Sequence, residues 1–390
     1  MITHIFNSSI VSGPEMLVIP ALKKLGEAVS IIFLTETRLP TESARPIEYA
    51  MKFGYDVYSV PVNGRWDKTA FLELRNVLDK ISPRIIHAHD VKASLYLQQA
   101  KRVRPGFKGA IVSTHHGASY RKGKIRLYEE IYVRFVLPSF DKVLCVCELD
   151  RKSVIHRGVP EGKVSIHLNG TDRPRVLPED RNASAATIRK SWKEKMPELP
   201  DTDAAVFLGA VARLSPEKRH DRMLKVVASF KKREESGHCK KTVLLCFGEG
   251  PEEQKLRQLA RTLQLEDRVF FMGYSNTISD EMAGFDALLC LSDGEGIPIN
   301  LLEAGWAATP VISTRVGGIP DLINSNEAGF LVEKKASDES IAEQMWNMLQ
   351  NTKQLTSVGQ AYQKRVMEFF SHDAWLKKLN EVYATLPGKI

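Results

Sequence analysis

At 390 residues the chain is too long for one ordinary core and fits two domains of medium size. Hydrophobic residues make up 43% and charged residues 26%, the composition of a soluble globular protein. The net charge of +8 favours acidic partners, but the cations are spread along the chain with no aromatic-interleaved nucleic-acid signature, so the reading is a generally basic surface and no nucleic-acid partner.

The first residues, Met1 to Asn7, read as a β-strand that starts at once, with no basic segment ahead of a long apolar stretch and hence no signal peptide. The most apolar run, residues 28–34, is too short to span a bilayer and suits a buried strand. Strands are expected at 3–7, 30–34, 57–60, 84–89, 110–115, 142–147 and 163–168. A second series is expected at 206–212, 242–247, 269–272, 287–291, 311–314 and 329–332, with helical patterns between strands such as 222–232 and 252–263. This alternation predicts an α/β protein with parallel sheets and right-handed crossovers, helices covering both faces. Thirteen strands are too many for one such sheet. Residues 173–203 are rich in Pro, Asp, Glu, Lys and Ser with weak apolar periodicity, so the linker and the first element of the second domain are placed there. The expected division is 1–173 with 370–390, a linker region at 174–203, and a second domain at 204–369.

The five cysteines, Cys145, Cys147, Cys239, Cys246 and Cys290, are odd in number and sit mostly in apolar runs, the usage of a reducing cytoplasm. Cys145 and Cys147 are too close for a zinc pair and have no second half, so no metal is assigned.

The strongest local signal runs from Ser292 to Gly305, after an apolar strand and into a helix. Gly294 and Gly296 permit a tight turn, and the amides after Pro298, at Ile299 and Asn300, would face a phosphate with the helix dipole behind them. Glu295 at the strand tip can accept hydrogen bonds from sugar hydroxyls, and Glu303, about two turns further on, reaches toward a ribose. The bland alternative is a strand-to-helix turn with two surface glutamates.

A glutamate, a glycine turn through Gly296, Ile297 and Pro298, and a second glutamate eight positions on resemble the donor-site signature of the retaining family-four glycosyltransferases. Residues 208–218 resemble that family's strand followed by Arg and Lys, which implies that Arg213 and Lys218 hold the donor pyrophosphate. Two fixed cations would stabilise the departing nucleoside diphosphate without a metal. Gly248 and Glu249 look like the family's glycine turn near the nucleotide, and Tyr274 lies in the segment that resembles the base-reading one. Residues 310–321 continue the pattern, with Asp321 where glutamate is frequent. In the first half, Asn169-Gly170 matches the turn closing the first domain, and Gly13 stands in the glycine-rich loop, where the frequent double glycine is absent. By resemblance His116 is the active-site histidine, with His115 the competing register; His87 and His89 read as satisfied structural histidines. Residues 369–375 and Tyr383 look like the closing helix that returns to the first domain.

The resemblance implies a GT-B fold, two Rossmann-like domains with parallel sheets facing across an inter-domain cleft. It implies sugar transfer, with retention, from a UDP- or GDP-sugar to an acceptor such as a lipid-linked, lipopolysaccharide or cell-envelope glycan. No other cofactor is expected. A nucleotide-sugar epimerase of the same architecture and a non-catalytic sugar-nucleotide-binding protein are the alternatives. Asp201-Thr202-Asp203 has the spacing of a metal-dependent motif but precedes a strand, so it reads as a solvated turn. The sequon at Asn182 reads as chance. Between 120 and 135, Ile125, Tyr128, Ile131, Tyr132 and Phe135 recur at helical spacing behind several cations. That pattern fits either a core-facing helix or one resting on anionic lipid, and with it a cytoplasmic protein peripheral to the inner face of the membrane.

Overall fold

The computed structural model describes residues 1–7, 11, 13–64, 66–104, 106, 108–116, 124–172, 181–201, 205–234 and 240–386. Ser12, Gly117, residues 120–123, Thr202, Asp203 and Cys239, all singled out in the sequence, lie outside them.

The chain divides into one unit of Met1–Gly170 with His372–Ile390 and another of Thr171–Ser371. The first holds a seven-stranded parallel sheet: β1 Ile2–Phe6, β2 Val29–Glu36, β3 Asp56–Val62, β4 Ile85–Ala88, β5 Ala110–His115, β6 Lys142–Cys145 and β7 Val164–Ile166, in the order 3-2-1-4-5-6-7. The second holds six: β8 Ala205–Val211, β9 Lys241–Phe247, β10 Val269–Gly273, β11 Ala287–Cys290, β12 Val311–Thr314 and β13 Phe330–Val332, in the order 10-9-8-11-12-13. All thirteen expected strands form. In both sheets the order reverses at the first strand, which leaves a crevice-forming switch point beside β1 and β4, and beside β8 and β11.

Central strands are buried on both faces, which is why they read as unbroken apolar runs. In β1, Ile5 joins one apolar cluster with Ile32, Ile86, Ile111 and Val143. Ile2 and Phe6 point the other way, with Ile31, Phe33, Ile85 and Val112. The helix His372–Ala384 completes that second layer with Trp375, Leu379, Val382 and Tyr383.

The stretch expected to hold the linker and the first element of the second domain contains a helix, Arg181–Lys195, packed within the second unit. Trp192 is buried and stacks on Phe285 at 5.0 Å, and its indole N–H donates to Glu281 at 2.6 Å. Arg189 donates to the Gly284 carbonyl and pairs with Asp286 at 2.9 Å. One aromatic anchor and two arginines, with Arg181 on the Phe285 carbonyl, replace the apolar stripe that periodicity looks for. Among the described residues no helix is long and apolar enough to cross a membrane.

Candidate donor site and the histidine stack

In the second unit, five loops at the carboxyl ends of the strands lock onto one another. After β9 the chain turns at Gly248, whose φ of +130 is closed to ordinary side chains and whose added Cβ would collide with the Ala212 carbonyl. Leu214 N–H donates to the Glu249 carbonyl at 3.0 Å, so this turn fixes the backbone on either side of Arg213. Gly248 N–H donates to the Gly273 carbonyl at the end of β10, at 2.8 Å, and the next residue, Tyr274, is 75% exposed. After β12, Gly317 at φ +55 lies so close to Glu295 that a Cβ would strike its carbonyl oxygen, and Gly318 N–H donates to the Gly296 carbonyl at 3.1 Å.

Of the expected residues, two side chains meet directly, Lys218 and Glu295. Lys218 Nζ donates to both carboxylate oxygens of Glu295, at 2.6 and 2.9 Å. Glu295 is nearly buried and Lys218 is a quarter exposed, so the pair is desolvated on one side and open on the other. Ile297 is buried, and Pro298 precedes the helix Ile299–Trp306. The Asn300 side chain donates to the Val211 carbonyl at 2.6 Å and accepts from Leu301 N–H, so it ties the helix start to β8 rather than standing free. Glu303 faces no cationic partner among the described residues; burial, with the nearby Asp280 charge, raises its carboxyl to about 7. Glu249 is exposed.

In the first unit, His115 closes β5 and His116 follows it. Burial drives His116 down to about 3 and His115 to about 4, so both rings are neutral at pH 7. His116 Nε2 is buried without a hydrogen-bond partner, which suits a hydrogen bond to a sugar hydroxyl better than an ionic grip on phosphate. Its ring lies 6.1 Å from that of His89. His87 bonds Tyr383 Oη at 2.6 Å and Thr114 Oγ1 at 2.7 Å, the satisfied histidine expected. His4 was not legible as a partner: its Nδ1 meets His89 Nε2 at 2.8 Å, while His89 stacks on His87 at 4.2 Å and on Phe6 at 4.4 Å. The three rings approach closely enough to suggest metal ligands; both His87 nitrogens, His4 Nδ1 and His89 Nε2 are hydrogen-bonded, whereas His4 Nε2 and His89 Nδ1 are buried without a partner, so His89 is not the satisfied histidine expected. Asp90 was also missed. One of its oxygens accepts from Asn7 N–H and the other caps the helix Val91–Val103, joining the loop after β1 to β4. Gly13 opens the helix Gly13–Ala21.

The segment 124–136 is the helix Lys124–Ile131 continued by a π-helical turn, Tyr132–Val136. Tyr132, Val133 and Val136 are buried and Tyr128 packs against them, but Ile131 and Phe135 do not join the core. With Leu127 they form an outward stripe, 64%, 45% and 68% exposed in chain order.

Residues 191–365 match the model of the glycosyl transferases group 1, and residues 17–175 match that of glycosyltransferase family 4. The chain belongs to these family-four-like GT-B glycosyltransferases and is a glycosyltransferase enzyme. An N-acetyl-alpha-D-glucosaminyl L-malate synthase of Bacillus anthracis is 33% identical over 140 residues, which span 36% of either chain. A GDP-mannose-dependent alpha-(1-6)-phosphatidylinositol monomannoside mannosyltransferase of Mycobacterium tuberculosis is 25% identical over 313 residues, 76% of each chain. Among solved structures, Anabaena Alr3699/HepE in complex with UDP superposes with a TM-score of 0.80 at 16% identity, covering 99% of this chain and 100% of that one.

Proposed function

We propose that this protein transfers a sugar, with retention, from a UDP- or GDP-sugar to a cell-envelope acceptor. The observation that carries the reading is the Lys218–Glu295 pair, at the tips of β8 and β11, braced by the glycine turns after β9 and β12 and open on one side. A nucleotide-sugar supplies what each member lacks. Its diphosphate takes the ammonium of Lys218, with Arg213 beside it, and its sugar hydroxyls donate to Glu295. The acceptor hydroxyl oxygen attacks the anomeric carbon, the bond to the diphosphate oxygen breaks, and the proton passes to a leaving phosphate oxygen on the same face. Arg213 and Lys218 offset the charge that grows on that group, with no metal invoked. Gly248, Glu249, Gly296 and the amides of Ile299 and Asn300 line the phosphates, Tyr274 the base, and Glu303 the ribose. In the first unit, His116, whose buried Nε2 lacks a partner, would serve a sugar hydroxyl, and Gly13 a phosphate.

The relatives support more than one donor base: the mycobacterial protein is named for GDP-mannose, and the Anabaena protein was solved with UDP. The mycobacterial name also points to a lipid-borne acceptor. The exposed stripe of Leu127, Ile131 and Phe135 follows four cations between 121 and 126 in the sequence, the composition of a segment that rests on anionic lipid. A cytoplasmic protein peripheral to the inner face of the membrane would meet such an acceptor there. Epimerase and pure binding roles are not favoured, since both matching family models are glycosyltransferases.

The test is binding and slow hydrolysis of UDP-glucose, UDP-galactose, UDP-N-acetylglucosamine and GDP-mannose by the wild type and by Lys218→Ala. One donor bound and hydrolysed, with turnover down about a hundredfold in the variant, supports the reading. A folded wild type that binds none of the four refutes it. Sedimentation with phosphatidylglycerol vesicles, lost in Phe135→Glu, tests the membrane contact separately.

A further inference from the structure

Among the described residues, Arg219 is the one charged side chain with a left-handed backbone, at φ 53 and ψ 42. Ser82, Gln264 and Ala308 share that conformation but follow α-helices, where it is a customary stop. Arg219 instead links the single turn Pro216–Lys218 to the start of the helix His220–Glu234, and a residue bearing a Cβ is held there at an energetic disadvantage. What holds it is its guanidinium. Nε and Nη2 fork onto the two carboxylate oxygens of Asp221, at 3.0 and 3.2 Å, and Nη1 reaches Asp293 Oδ1 at 3.3 Å.

Asp293 lies two residues before Glu295, as Arg219 lies one residue after Lys218. The same two segments are joined a second time by the backbone, where Asp293 N–H donates to the Glu217 carbonyl at 2.9 Å. On its far side the Asp293 carbonyl accepts from Lys334 Nζ at 2.7 Å. The pair that meets the donor is thus flanked by a separate clamp made of Arg219, Asp221 and Asp293.

We propose that Arg219 is a positioning residue that sets the separation of the Lys218 turn from the Glu295 loop and thereby the affinity for the nucleotide-sugar. This rests on the donor-site reading above. The clamp matters most when a donor is bound. Lys218 must then turn from Glu295 to the diphosphate, and the two segments lose the ion pair that joined them directly. Without Arg219 the loop 292–296 is held to the turn by one backbone hydrogen bond, and the phosphate and sugar contacts no longer sit at a fixed distance. Because the guanidinium is bonded to carboxylates rather than aimed at open space, its effect passes through Lys218 and Glu295.

Arg219→Asn is the test, since asparagine accepts the left-handed backbone but has no guanidinium. The expected result is an unchanged thermal midpoint and a KM for the hydrolysed nucleotide-sugar raised about tenfold, with kcat within about twofold, the pattern of lost uniform binding. Amide hydrogen exchange at 292–297 is expected to quicken in the absence of any donor. Arg219→Lys, which keeps the charge but cannot fork, is expected to fall between the two. A wild-type KM in Arg219→Asn overturns the proposal whatever the exchange shows. If the wild type turns over no nucleotide-sugar, the donor-site reading fails by itself; exchange at 292–297 then decides the clamp, and identical rates in wild type and variant overturn it.

Discussion

Replacing Glu303 by glutamine removes a charge while keeping the shape of a side chain whose burial lifts its carboxyl from the usual 4.5 to about 7. That shift disfavours the ionised form in the folded protein by about 3 kcal/mol. Below 4.5 both folded and unfolded chains hold the proton; between 4.5 and 7 only the folded one does. Stability from this residue therefore falls as pH rises through that window and levels off above 7. Donor binding should run the other way, because ribose hydroxyls donate best to the ionised carboxylate. If that form alone is competent, affinity weakens about tenfold for each pH unit below 7. The assay is calorimetric titration with a nucleotide-sugar between pH 6 and 8.5. A free nucleoside diphosphate is avoided, since its terminal phosphate titrates in the same range. Wild type should tighten up to about pH 7 and then plateau, whereas Glu303→Gln should be flat and weaker at pH 8 by about 1.5–3 kcal/mol. Parallel slopes in the two proteins would refute the assignment of Glu303 to the ribose and of the buried carboxyl as the titrating group.

Acid should dismantle the first unit before the second. Among the described residues, burial lowers His4 and His116 to about 3, His115 and His167 to about 4, and His87 and His89 well below their usual value, against His220 alone, at about 4, in the second unit. Each contributes stability that is complete above 6.5 and drains by about 1.4 kcal/mol per pH unit below it; peptide-level hydrogen exchange from pH 7 to 4.5 should lose protection in 1–170 first, and the reverse order would contradict the account. Gly317→Ala drives a methyl into the Glu295 carbonyl from a left-handed backbone, so donor turnover should drop about a hundredfold with the protein still folded; wild-type donor affinity in that variant would show the two loops to be independent. Trp192→Ala should cost about 3–5 kcal/mol in urea unfolding of the second unit, against under 1 kcal/mol, roughly, for a true linker residue.

What the sequence disclosed follows from which forces are local. Strands such as Ala110–His115 and Val311–Thr314 are buried on both sides, so their apolar runs announce them without help from the rest of the chain. The glycine at 248 was legible as a turn by resemblance, and the structure supplies the reason: a positive φ restricts the residue type at that position. The helix Arg181–Lys195 was not, because Trp192, Arg189 and Arg181 find their partners about a hundred residues away, at Glu281 to Asp286. The same holds for the contacts of His4 with His89, Arg219 with Asp293, and Lys218 with Glu295: the last two residues were each assigned to the donor, but nothing local pairs them. In the segment 124–136 the spacing of apolar residues was visible, but not the π-helical turn that rotates Phe135 out while Val136 turns in.

The helix His372–Ala384 bears on the order in which the molecule is assembled. The second unit is one uninterrupted stretch, Thr171–Ser371, and has every partner it needs once that stretch has been synthesised. The first unit begins earlier on the ribosome but waits longer, because Trp375, Leu379, Val382 and Tyr383 cover one face of its sheet, and Tyr383 supplies the hydroxyl that meets His87. Until those residues emerge, Phe6, Phe33 and Val112 lack part of their apolar cover. The usual vectorial order, amino-terminal domain first, is therefore inverted at the last step. The half-finished first sheet is the surface that chaperones would meet during translation, and a nonsense codon near 372 would leave it open while the second unit folds normally.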